Sequence, residues 1–151
     1  MRPYGPAALR LCVGAVFLAH GIQKLFGMWG GQGIQGTTAL LASWGLNPAQ
    51  PLAIAVGVAE LGGGALLIIG GLTRWVALAL AIEVGVAVWK VNYLGGLFLT
   101  SATGPGVEYR LVLIGALLCL SLTGPGALSV DDWRDSSAEA MRAGRARARK
   151  V

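Results

Sequence analysis

Six ionisable side chains, His20, Lys24, Glu60, Glu83, Lys90 and Glu108, lie inside or at the rim of long apolar stretches, in a chain of which only 13% is charged. A charge left in hydrocarbon costs roughly 3 kcal/mol, so such residues serve either as ties between helices or as a working site. A histidine, carboxylates and amines in an apolar shell could hold the head of a quinone. Its carbonyls would accept hydrogen bonds from His or Lys while a carboxylate exchanged protons. The same groups could bind a small polar solute, or simply pair Glu60 with His20 or Lys24. One histidine cannot supply bis-His ligation to a haem. Without a CxxC pair, zinc spacing, Rossmann motif or P-loop, neither a metal nor an intrinsic cofactor is expected. Cys12 and Cys119 read as buried small hydrophobes rather than a disulfide.

The elements that must position these groups follow from composition. The chain has 151 residues, 55% of them hydrophobic, with 24 glycines and a mean hydropathy of +0.66. These values fit one all-α integral membrane four-helix bundle. A span needs roughly 20 apolar residues, and four segments qualify: 7–27, 51–71, 74–94 and 108–124. The first is not a secretory signal, because no cleavage pattern follows it and three further spans do. Residues 1–130 form the expected membrane domain and 131–151 a basic cytoplasmic tail. Between the first two spans, Thr37 and Thr38 followed by Ala39, Leu40, Leu41 and Trp44 predict a short interfacial helix.

Arg2, Arg10, Arg74 and the basic tail flank one side, whereas the connections 28–50 and 95–107 carry no charge. The positive-inside rule therefore places both termini in the cytoplasm. The positive charge follows the membrane rule, so the expected partner is a lipid bilayer and not nucleic acid.

Helical spacing sorts the charges further. Arg10, Gly14, Phe17, Gly21 and Lys24 share a stripe with His20 at its edge, and Glu60 lies in line with Ala53, Gly57, Gly64 and Gly71. Small residues permit close approach of a neighbour, so these faces are expected to point inward. By the same reasoning Glu83 and Lys90 with Ala79 and Ala87, and Glu108 with Gly115 and Cys119, should face the bundle. With a rise of about 1.5 Å per residue, Lys24, Lys90, Glu108 and Arg110 come near the external surface and His20 about 10 Å below it. Glu60 and Glu83 come near the midplane.

Ordered motifs add a resemblance. Arg10-Leu11 through His20-Gly21-Ile22-Gln23-Lys24-Leu25-Phe26, then Gly45-Leu46-Asn47-Pro48, Glu60-Leu61-Gly62-Gly63-Gly64 to Gly70-Gly71-Leu72-Thr73-Arg74, Gly106-Val107-Glu108-Tyr109, and Gly124-Pro125-Gly126 with Leu128-Ser129-Val130-Asp131 resemble the DoxX family. Relatives often carry a histidine near the end of span three, where this chain has Trp89-Lys90-Val91-Asn92, and Glu83 matches no family position. The resemblance implies a four-helix inner-membrane protein linked to oxidoreductase systems. One branch is similar to small subunits of thiosulfate:quinone oxidoreductase, another to a membrane anchor in a thiol-oxidant defence complex. The resulting expectation is an accessory membrane subunit with quinone as candidate ligand, other oxidoreductase subunits as partners, and a homo-oligomer as a further option. The alternative is a non-catalytic adaptor or small-solute carrier. His20, Lys24, Glu60 and Glu108 form the candidate ligand site. Arg10, Glu83, Lys90 and Arg110 are secondary candidates, and no residue is assigned as catalytic.

Overall fold

A computed structural model describes residues 4–91, 107–134, 136, 137 and 141. Among them the chain is all-α: α1 Tyr4–Phe26, a 3-10 turn Met28–Gly30, α2 Gly33–Ser43, α3 Ala49–Ile69, α4 Thr73–Val91 and α5 Val107–Thr123. The connection after α4, the end of span three at Leu94 and most of the basic tail lie outside the described residues.

The helix ends follow the sequence. α1 stops at Gly27, whose φ of 68° is left-handed, and Gly70 ends α3 at φ 71°. There Gly71 N–H donates to Leu66 O and Gly70 N–H to Leu67 O, at 2.9 and 3.1 Å. This paired closure satisfies two orphan carbonyls of the last turn. α2 begins at Gly33, four residues before the expected start. Thr37 and Thr38 lie inside it. Their hydroxyls donate back to Gly33 O and Ile34 O, at 2.8 and 2.7 Å, as threonines inside a helix can.

α1 packs most extensively on α3, and α4 on α5, whereas α3 and α4 touch far less. The α1–α3 crossing depends on glycine. A Cβ on Gly64 would stand 2.4 Å from Leu18 N and 2.7 Å from Gly14 O, so only a residue without a side chain admits this backbone approach. Leu67, Leu80, Leu117 and Leu120 join Phe17 and Val13 in a core shared by the long helices.

The surface is apolar as well. Leu52, Ile54, Val58, Leu78, Ile82, Val112 and Leu122 are exposed, as on helices that face lipid. Trp75 and Trp89 stand exposed at opposite ends of α4, about 21 Å apart along its axis. Exposed Trp133 follows α5, and Trp29 follows α1. Two tryptophan levels with an apolar band between them match the two interfaces of a bilayer. α1 and α3 are the described helices long and apolar enough alone to cross it. α4 carries Arg74, Glu83 and Lys90 within 19 residues, and α5 has only 17 residues.

Two expectations about inward faces need correcting. α5 buries Leu113, Leu117 and Leu120, which leaves Gly115 and Cys119 on the outside. Cys12 is exposed too, so neither cysteine is a buried hydrophobe. α4 buries Ala77, Leu80, Ala81 and Val84, while Ala79 is exposed and Glu83 sits at the flank. The physical reason is that lipid is as apolar as a protein core, so small apolar residues gain nothing by turning inward unless a neighbour fits them.

Candidate functional site

The charged residues fall into two groups at opposite ends of the bundle. At the end where α3 turns into α4, Arg10 is only 2% exposed. A guanidinium has five N–H groups in a rigid fork. Here they meet five backbone carbonyls: Nε donates to Pro125 O at 3.0 Å, Nη1 to Leu67 O at 3.1 Å and to Ile68 O, and Nη2 to Ala127 O at 3.2 Å and to Leu128 O. Leu67 and Ile68 belong to the last turn of α3, where orphan carbonyls and the negative end of the helix dipole both attract a cation.

Asp131 completes the arrangement. Its carboxylate accepts from Leu72 N–H and Thr73 N–H, both at 2.9 Å, which caps the start of α4. Its own N–H donates to Gly70 O at 3.0 Å. Arg74 then donates to Leu122 O at 2.9 Å and, over longer distances, to Ser121 O and Thr123 O at the end of α5. Leu72 and Leu128 hold left-handed φ values of 52° and 57°. Such strain persists where the surroundings over-determine it, and both residues have a backbone group bound by the clasp. From sequence Arg74 is a topology marker and Asp131 the start of the tail. The one sequence signal of this capping is the ordered Leu128-Ser129-Val130-Asp131 motif.

The other group lies towards the α2 end. Lys24 Nζ and Glu60 Oε1 form an ion pair at 2.5 Å. Lys24 is in the last full turn of α1 and Glu60 near the middle of α3, in the stripe that packs against α1. Glu60 is 5% exposed, and no N–H or hydroxyl group reaches its second oxygen, Oε2, which is buried. Glu83 on α4 hydrogen-bonds to Glu60 and feels the charge of Lys24, so one amine serves two carboxyls. An ionised carboxyl has nothing to donate. The pair is satisfied only by a proton between the carboxyls or by a donor from a ligand.

His20 is half-buried one turn before Lys24 and takes no part in the ion pair. Glu108 and Arg110 are half-buried in the first turn of α5, and no described contact joins either to Lys24 or Glu60. Lys90 serves a different purpose: its Nζ donates to Trp44 O at 3.5 Å and lies 5.1 Å from the Trp89 ring centroid, tying the end of α4 to the end of α2. Of the eight candidates, Lys24, Glu60 and Glu83 form the cluster, Arg10 forms the clasp and Lys90 forms a tie. Among the described residues no group of His, Cys, Asp or Glu could hold a metal ion.

The sequence matches the DoxX family over residues 5–93. An uncharacterized protein of Haemophilus influenzae is 32% identical over 135 residues, covering 87% of this chain and 91% of that protein. The inner membrane protein YphA of Escherichia coli is 31% identical over 134 residues, covering 86% and 90% respectively. No solved structure matches. With a family match over more than half of the chain and relatives aligned along most of it, this is a membrane protein that belongs to the DoxX family.

Proposed function

We propose that the chain is an accessory inner-membrane subunit of an oxidoreductase system, with the Lys24–Glu60–Glu83 cluster binding a quinone head. The observation that carries this reading is the buried Glu60 carboxyl, hydrogen-bonded to the Glu83 carboxyl beside the one amine of Lys24, a contact two carboxyls make only with a proton between them. Carboxyls that hold an exchangeable proton in an apolar shell suit proton transfer to and from a bound ligand. A quinone oxygen is an acceptor that fits, and a quinol hydroxyl a donor. In the oxidised ligand, Lys24 supplies the hydrogen bond to a carbonyl, while Glu60 and Glu83 pass protons to and from the ring oxygens as a partner subunit supplies or removes the electrons.

The proposed topology has all four long helices spanning, both termini cytoplasmic, and residues 131–151 as a cytoplasmic tail with Asp131 as its anchor. The inner membrane is the proposed location, in line with the name of the Escherichia coli relative. His20, one turn from Lys24, and the Glu108–Arg110 pair are proposed to line the outer approach. Mass spectrometry of gently extracted protein tests the proposal. Co-purified quinone with neighbouring redox subunits supports it; a stable complex with neither quinone nor redox subunits would replace it with the adaptor reading.

A further inference from the structure

α3 and α4 diverge to leave a groove of about 590 Å³, walled by Ala55, Ala59 and Gly62 on one side and Val76 and Ala79 on the other. Glu83 is the polar side chain lining it among the described residues. Exposed Val58 and Ile82 stand at its rim, on the same apolar surface as the rest of the lipid-facing exterior.

Among the described residues nothing packs on Gly62. A Cβ there would meet nothing within 4 Å, unlike Gly64, where it would strike the α1 backbone. With Ala55 and Ala59, Gly62 keeps the α3 wall of the groove free of side-chain bulk. The volume falls in the range of small-molecule sites, roughly 300–1,000 Å³. An apolar trough with one carboxyl suits a hydrocarbon tail ending in an oxygen-bearing head. That carboxyl also hydrogen-bonds to Glu60, the buried acid of the cluster.

We infer that the α3–α4 groove is the lateral route by which a quinone reaches the cluster from the bilayer: its tail lies along Ala55, Ala59 and Gly62, and its head meets Glu83 first. The inference rests on the quinone reading above. It adds to that reading the direction of approach and a contact residue that no family motif marks. A second copy of the chain is the other occupant a small-residue wall could take, but a helix brings no head group for Glu83.

The test is photolabelling of the purified full chain in lipid nanodiscs with a decyl-benzoquinone carrying an azide. Labelled peptides are mapped for wild type, Gly62→Leu, Ala79→Leu, Glu83→Gln and Gly115→Leu. Gly115 also has open space beyond its Cα but lies on α5, so its variant controls for added bulk at an exposed position. Label is expected on α3 and α4 in wild type. Each groove-filling variant should lower it by about tenfold, equivalent to losing one well-packed contact of about 1.4 kcal/mol. Glu83→Gln should lower it less, because an amide still hydrogen-bonds, and Gly115→Leu should not change it. Full labelling of both groove-filling variants beside a labelled wild type overturns the route while leaving the quinone reading intact. Absence of label from wild type overturns both. Label that survives while Gly62→Leu converts a dimer to a monomer makes the groove a self-interface and overturns the inference.

Discussion

At the Arg10 end the guanidinium is met by five carbonyls and the Asp131 carboxylate by two backbone N–H groups, whereas at the Lys24 end one amine serves two carboxyls that bond each other only through a proton. Both groups are buried charges in an apolar bundle. The difference lies in what satisfies them. The first is closed by backbone, at helix termini whose orphan groups need partners in any membrane protein. The second is closed only by something that comes and goes, a proton or a ligand. Burial of charge alone therefore does not mark function; a buried charge closed by an exchangeable proton rather than by backbone is the sharper sign.

The largest expected effect comes from breaking the closed end. Arg10→Met should take a donor from five carbonyls, of which Leu67 O keeps the Gly70 N–H, and cost about 3–5 kcal/mol, the range seen when one side of a buried charged arrangement is removed. Little folded protein should survive detergent extraction, as read by size-exclusion chromatography. A well-folded variant with an unchanged melting temperature would mean that the clasp is not structural.

Next in size is Gly64→Ala, which forces a Cβ into the backbone of α1 and should cost about 1–3 kcal/mol. Gly62→Ala, two residues away, should raise stability by up to about 1 kcal/mol, because it meets nothing and favours the helix. Melting curves of the two variants should therefore move in opposite directions. Asp131→Ala removes the cap of α4 and is expected to cost about 0.5–2 kcal/mol, with the amides of Leu72 and Thr73 exchanging faster in hydrogen-exchange measurements. Equal protection in the variant would mean that another group caps the helix.

The parts of this comparison were unequally legible in the sequence. The stripe from Arg10 to Lys24 and that through Glu60 gave the α1–α3 contact because glycines on both helices face each other, a pairing that only tight backbone approach rewards. The same rule misled on α5, where Gly115 and Cys119 have no partner surface and simply face out. Along α4 the rule held for Glu83, which reaches Glu60, and failed for Ala79, which is exposed, since an apolar exterior leaves small residues no preferred face. Asp131 was invisible as a cap because its partners lie some sixty positions earlier in the chain, at Leu72 and Thr73. Spacing within one helix reports faces; it does not report which distant helix end a side chain will close.

The most direct test of the functional assignment is Glu60→Gln, measured for melting temperature and decyl-benzoquinone binding on the same preparation. The amide keeps the shape and can still accept from Lys24, so the stability loss should stay below about 1 kcal/mol. It cannot ionise, and its new N–H donors compete with the ligand for the site. The account predicts a folded variant whose quinone binding is lost. A folded variant that binds quinone as wild type does would contradict it and make the Lys24 end, like the Arg10 end, a tie between helices.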